Sequence, residues 1–482
     1  MRAEKLSRES EARALAAASR SGKDDPLTSV RLSVDAINET EEDNIVVKEA
    51  IDSLRAVLPG ALLEMRPLTD KNKVASEGFS GNGSGLITVN FDGDLTKWDL
   101  PSGKRQEISL PFDRQPGEKI GSPTLSPNGK MLAFSTSEHA GSMPAGSAQQ
   151  KNNDAILKNI KLVNLEIGNA SVSRGYRRGV LKLTFDNDGE YLATSNILGD
   201  YKVVKVNTSG ESKRMWDKPG LIEKVRVRIF RGRFRSPNTF AFSSHEAGEK
   251  DDQFLLATGF QNGEVVIRHA RSGREYASLP KPDDGGHSDA ILAMAFDPSK
   301  KYLITSSRDN TVKVWNLSSV SLQTGKKTLM LVKDLSAQPM TDSSDYGVKY
   351  HDNPVTSIAF NRKGELMATG SEDRTAIIWR IDPVSDSFYP LVKLPDHMAQ
   401  IISVTFSADG KRLATLDAKN MTRIWDLSSL DEFLKLKGQV MHLYEESKYG
   451  SRDITDAKQL GIEQLTKKIE DFLKPHEQKG SQ

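Results

Sequence analysis

The chain has 482 residues, with 67 basic against 65 acidic side chains for a net charge of +2, and contains no cysteine. That balance gives no global reason for a polyanion partner, so any basic patch has to be local. The missing cysteine excludes disulfides, thiolate metal sites, thiol nucleophiles and zinc fingers.

The N-terminus, MRAEKLSRESEARALAAASRSGKDD, lacks a continuous apolar leader core, and no run of about 18 apolar residues occurs, so a soluble cytoplasmic protein is expected. Three short amphipathic helices are predicted within residues 1–60. Asp25-Pro26 supplies a cap and first turn, Leu27, Val30, Val34 and Ile37 line one face, and Pro59-Gly60 stop the third helix.

From residue 61 to residue 427 the chain repeats itself. The clearest copies are AMAFDPSKKYLITSSRDNTVKVWNL (293–317), SIAFNRKGELMATGSEDRTAIIWRI (357–381) and SVTFSADGKRLATLDAKNMTRIWDL (403–427). Each reads as a strand ending in Phe, a tight turn, an alternating strand, a polar turn and a strand ending near Trp, which is a β-meander. Fainter copies precede them, with Trp98, Val163, Lys205 and Arg268 at the place taken later by Trp315, Trp379 and Trp425, for seven units in all. After Leu427, the stretches SSLDEFLKLKGQVMHLYEESKYG and TDAKQLGIEQLTKKIEDFLKPHEQ read as helices; in the second, Ile462, Leu465, Ile469, Phe472 and Leu473 form one apolar stripe, between Thr455 as cap and Pro475 as stop.

The seven units resemble the WD-repeat β-propeller family, in which each unit is a four-stranded blade set radially about a channel. The resemblance implies an all-β, seven-bladed propeller over residues 61–427, with helical segments at 1–60 and 428–482. Gly286-His287 and Trp425-Asp426 match the family's paired signatures. ALLEMRPL (61–68) is expected to close the last blade as its fourth strand, which removes a free sheet edge. The prelude ARALAAASRSGKDDPLTSVRLSVDAINETEEDNIVVKEAIDSLRAVL resembles the helical segment ahead of the propeller in bacterial STAND-type signalling NTPases. No stretch matches the phosphate loop G-x-x-x-x-G-K-[ST], so under that resemblance any nucleotide-driven step belongs to another protein.

The family resemblance also implies hydrogen-bonded structural tetrads. The fifth blade offers His287, Thr305 or Ser307, Asp309 and Trp315; the sixth offers His351, Thr369 or Ser371, Asp373 and Trp379. In the seventh, His397 stands at the histidine position but Lys419 replaces the aspartate, so a broken tetrad is expected there. Asp92 falls six residues before Trp98 and reads as the same turn position, not as a catalytic carboxylate. GNGSG (81–85) lacks the spacing and the following helix of a phosphate-binding loop, and neither H-E-x-x-H nor G-x-S-x-G occurs. No enzyme, cofactor or metal site is expected.

Function is therefore read from surfaces. In an antiparallel meander, connections into first strands and those between second and third strands share one face of the disc. The long connections fall mostly in that set, and long loops on one rim of a rigid scaffold are where binding surfaces are built. Two of them are basic. SRGYRRG (173–179) and VRVRIFRGRFRS (225–236) place Arg174, Arg177, Arg178, Arg226, Arg228, Arg231, Arg233 and Arg235 at neighbouring blades three and four, while Asp283, Asp284, Asp342, Asp345 and Asp352 mark an acidic sector on blades five and six. The alternation in VRVRIF also fits an edge strand with solvated arginines. The expectation is a non-catalytic protein-interaction scaffold or sensor module in a bacterial-type signalling or defence complex, with a separately encoded NTPase or effector as partner. The alternative is a nucleic-acid-binding propeller using the basic sector.

Overall fold

A computed structural model describes residues 2–21, 26–41, 46–47, 49–50, 53–54, 65, 68–70, 73–80, 83–110, 120–137, 157–166, 168–174, 180–196, 201–206, 212–214, 237–245, 253–323, 326–336, 350–394, 397–435, 439, 453–454 and 467–469. Five four-stranded sheets and one eight-stranded sheet of two meanders make up seven antiparallel blades. A parallel bridge between Ser278 and Thr328 joins the two meanders, blades four and five. The first strands of blades one to seven are Val74–Phe79, Ile120–Leu125, Val180–Phe185, Pro237–Phe242, Ile291–Phe296, Val355–Phe360 and Ile401–Phe406. Each packs on the next and the seventh packs on the first, so the disc is a closed ring.

Every first strand carries a register shift near its start, as between Ile291 and Ala293. Such bulges add twist where strands crowd the axis. Second strands such as Leu255–Phe260 and Tyr302–Ser307 are buried at every position. Both of their faces are covered by neighbouring blades, which is why they read as continuous apolar and small residues rather than alternating ones. The core is correspondingly shared between blades: Tyr302 and Ile304 of blade five pack in one cluster with Met367, Ile377 and Trp379 of blade six.

Blade seven is completed from the other end of the chain. Leu68 and Thr69 pair with Thr422 and Met421, and the Met65 amide donates to the Ile424 carbonyl at 2.6 Å. The pairing lies at the end of the ALLEMRPL segment and runs one residue past it; residues 61–64 lie outside the described residues.

Among the described residues two continuous helices precede the ring, α1 (Arg2–Ser21) and α2 (Pro26–Glu41), and residues 49–50 and 53–54 are helical as well. α1 is a single 20-residue element where the sequence suggested short ones, because its alanines bury against a neighbour that local patterning does not reveal. Ala12 and Ala16 let α1 approach α2 closely, and the hydroxyls in that seam are satisfied internally: Ser19 Oγ donates to the Ser29 carbonyl at 2.6 Å and lies 2.7 Å from Ser33 Oγ. Val30, Val34 and Ile37 are buried in a cluster that continues through Phe433 and Leu434 into blades six and seven, with Ile469 of the tail. Val46–Val47 pairs with Asp453–Ile454, tying the two ends of the chain together. Leu27's side chain, Pro59-Gly60, Thr455, Ile462, Leu465, Phe472, Leu473 and Pro475 lie outside the described residues.

The seam between blades one and seven holds a buried acid. Glu77 is 5 % exposed, and Thr422 Oγ1 stands 3.5 Å from its Oε2. Burial pushes its carboxyl up to about 8, against hydrogen bonds from Ser403 and Thr422. The folded chain thus keeps a proton that the unfolded chain releases near pH 4.5. Stability is therefore expected to fall as pH rises from there towards about 8. Urea unfolding of Glu77→Gln should show a flatter pH profile than wild type and a higher midpoint at alkaline pH. Parallel profiles would remove Glu77 as the cause.

Candidate functional site

The polar residues of blades five to seven are brought together as relays. In blade five, Trp315 Nε1 donates to Thr305 Oγ1 at 2.8 Å, and Thr305 Oγ1 lies 2.6 Å from His287 Nε2. His287 Nδ1 faces Asp309 Oδ2 at 3.3 Å and Thr311 Oγ1 at 2.9 Å. An indole can only donate and a carboxylate can only accept. The assignment that uses every proton is therefore Trp to Thr, Thr hydroxyl to His Nε2, and His Nδ1–H to Asp. Blade six repeats it, with Trp379 to Thr369 at 2.9 Å, Thr369 to His351 Nε2 at 2.9 Å, and His351 Nδ1 to Asp373 at 2.9 Å.

Thr305 and Thr369 hold the relay, and the alternatives Ser307 and Ser371 do not. Their hydroxyls donate to backbone carbonyls of Asp289 and Asn353 and accept the amides of Asp309 and Asp373, which shapes the turn. For both aspartates burial pushes the carboxyl up, but hydrogen bonds from the facing histidine and the neighbouring threonine outweigh it and hold each well below the usual range. Gly286 has a steric reason of its own, since a Cβ there would lie 2.0 Å from the Pro280 carbonyl oxygen.

Blade seven keeps the first two links of the relay and not the last. Trp425 Nε1 donates to Thr415 Oγ1 at 2.9 Å, and Thr415 lies 2.7 Å from His397 Nε2. Asp417 then places Oδ2 3.5 Å from His397 Nδ1. This carboxylate sits at the end of the second strand, two residues before Lys419, and its approach to Nδ1 is an ion-pair distance outside hydrogen-bond geometry, so the hydrogen-bonded relay stops at His397.

Blade one runs a variant that the sequence reading missed. Asp70 stands eighteen residues before Thr88, the separation of His287 from Thr305, and Thr88 Oγ1 donates to Asp70 Oδ2 at 2.5 Å. Trp98 Nε1 reaches Thr88 at 3.4 Å. With a carboxylate already at the histidine position, Asp92 faces solvent instead of joining it. The constant spacing of eighteen was the signal available. Register also moves one position: Val204, not Lys205, pairs with Leu192 as Trp315 does with Leu303, so Val204 takes the tryptophan's place in blade three.

Of the basic residues, Arg174 lies at the end of the fourth strand of blade two, opposite Asn159, rather than in the connection that follows. Arg177, Arg178, Arg226, Arg228, Arg231, Arg233 and Arg235 lie outside the described residues, as do Asp342 and Asp345. Asp283 and Asp284 are exposed on a short 3₁₀ turn, and Asp352 is exposed beside His351. No helix among the described residues is long and apolar enough to cross a membrane.

Comparison with known proteins agrees with this geometry. The WD domain, G-beta repeat model matches residues 280–316, 346–380 and 388–426. Target of rapamycin complex subunit wat1 of Schizosaccharomyces pombe is 28% identical over 207 residues, 38% of this chain and 64% of that protein. Striatin-4 of Homo sapiens is 31% identical over 157 residues, covering 31% and 19%. Apoptotic protease-activating factor 1 of Rattus norvegicus is 29% identical over 208 residues, covering 39% and 15%. The matches span less than two thirds of each of these proteins. All three relatives are eukaryotic, and the resemblance to bacterial STAND-type NTPases is not shown by them. The chain is an all-β propeller with short helices that carries WD40 repeats.

Proposed function

We propose that this chain is a non-catalytic protein-interaction scaffold or sensor, with a helical segment at 1–60, the propeller at 61–427 and a helical tail at 428–482. WD40 repeat proteins are generally protein-interaction scaffolds. The observation that carries the reading is the relays: in blades five and six their histidines and aspartates are spent on one another within the blade. Those groups hold a rigid disc, and recognition falls to the connections on its rim. One relative is named as a subunit of a complex, which supports a partner-bound role. The finer form of the proposal is a signalling or defence assembly of bacterial type, in the cytoplasm, in which a separate NTPase or effector supplies the catalysis.

The partner surface we assign is the basic sector around Arg174, Arg177, Arg178, Arg226, Arg228, Arg231, Arg233 and Arg235. Arginine forks suit bidentate pairing with carboxylates of a protein partner. Changing Arg231, Arg233 and Arg235 together to Glu is expected to abolish capture of a stoichiometric protein partner from host extract with the melting temperature unchanged. Retained capture would make the run a solvated edge. Submicromolar, salt-sensitive retention of DNA or RNA by the wild type would instead favour nucleic-acid binding.

A further inference from the structure

The hairpins joining first and second strands in blades three and five align residue for residue, as FDNDGEY (185–191) and FDPSKKY (296–302). In both, the aspartate after Phe turns Oδ1 to the tyrosine amide, Asp186 to Tyr191 at 2.8 Å and Asp297 to Tyr302 at 2.5 Å. In blade five the other oxygen of Asp297 is used by Ser299, through its amide at 3.1 Å and its hydroxyl. Lys301 brings a positive charge and reaches Asp386 at 2.6 Å. Blade three replaces that donor and that cation with two further carboxylates, Asp188 and Glu190.

Asp186 is only 1 % exposed, yet its Oδ2 accepts no hydrogen bond. It points at His245, which blade four supplies just after its first strand. His245 Nδ1 lies 3.4 Å from Asp186 Oδ2 and 3.9 Å from Asp188 Oδ2, while Nε2 lies 3.5 Å from Glu190 Oε2. Tyr191 and Phe254 wall the imidazole at ring distances of 5.1 and 4.7 Å. Three carboxylates thus converge on one imidazole.

Ligand atoms held about 2.0–2.2 Å from a tetrahedral ion stand about 3.4 Å from one another, close to the Asp186 and Asp188 separations from Nδ1. A carboxylate on the far nitrogen of a ligating histidine is the usual means of fixing its tautomer. We propose that Asp186, Asp188 and His245 bind one divalent transition-metal cation, Zn²⁺ by its mixed imidazole and carboxylate donors, with Glu190 orienting His245 through Nε2–H. The site clasps blade three to blade four on the face opposite the long connections. It is independent of how the rim is used.

The test is calorimetric titration of ZnCl₂ into the chelator-treated full chain, with Co²⁺ absorption as a spectroscopic second readout. Wild type is expected to take up one ion per chain and to melt at a higher temperature with it. Asp188→Asn sits at an exposed turn position, so the fold should be kept while saturable uptake is lost; His245→Ala should lose it too. Glu190→Gln should weaken binding about 10- to 100-fold, and Asp92→Asn, on an exposed turn of blade one, should leave it unchanged. Absence of saturable binding in the wild type, or wild-type affinity in Asp188→Asn, would overturn the site. Wild-type affinity in Glu190→Gln, with loss in Asp188→Asn, would overturn the role given to Glu190.

Discussion

Deleting residues 1–70 is expected to abolish the cooperative melting transition of the disc. The deletion strips Leu68 and Thr69 from the last strand of blade seven and leaves that strand as an open sheet edge. It removes Leu68 from a cluster with Phe79, Leu86, Trp98, Ala414 and Ile424, and it removes the Asp70 carboxylate that Thr88 donates to. The helices go as well, uncovering Phe433 and Leu434. Burial of a large aliphatic side chain contributes roughly 1.5–3 kcal/mol. The loss of Val30, Val34, Ile37, Leu54 and Leu68 together is therefore comparable with the whole stability of a typical domain, about 5–15 kcal/mol. A shorter deletion that keeps residues 61–70 separates the causes: it should lower the midpoint yet preserve a cooperative disc. Calorimetry that found the 1–70 deletion melting like the full chain would rule out closure from the N-terminal side.

The second large effect is expected at the centre of a relay. Thr305→Val keeps shape but removes the oxygen shared by Trp315 Nε1 and His287 Nε2. Each buried group left unpaired costs about 1–3 kcal/mol, so with two such groups a loss of roughly 2–6 kcal/mol is expected in denaturant unfolding. His287→Ala and Asp309→Ala should each cost about 1–3 kcal/mol through the partner they orphan. Because the Asp309 and Asp373 carboxyls are held low in the fold, their contribution is present at neutral pH and fades as pH falls below the ordinary carboxylate range. Partner capture should track the folded fraction in these variants. Lost capture with unchanged unfolding would move the relay residues into a functional surface.

Blades five to seven were legible because strand periodicity, turn residues and Trp315, Trp379 and Trp425 all point the same way. The approach of Asp417 to His397 in blade seven was not, because spacing from the tryptophan leads to Lys419, whereas Asp417 at the strand end comes within 3.5 Å of the imidazole without closing the hydrogen-bonded tetrad. Blade three slipped by one residue for a related reason. Lys205 and Val204 are adjacent, and only pairing with Leu192 decides between them. The two-residue pairing of Val46–Val47 with Asp453–Ile454 is too short for periodicity to announce. The cluster around His245 joins a turn of one blade to a loop of the next, and no local motif records such a meeting. The basic run can be read in the sequence as charge and alternation, but those two features favour different surfaces, so only a binding measurement separates them.

The central claim is that the disc works by holding another protein. Native mass spectrometry of the full chain isolated at low salt from its host, with and without nuclease treatment, addresses it directly. The account predicts a discrete nuclease-resistant species in which this chain and a second protein occur in a fixed integer ratio, and its absence from the preparation with Arg231, Arg233 and Arg235 changed to Glu. A species that carries nucleic acid and falls apart under nuclease, or the chain alone under every condition, would contradict it.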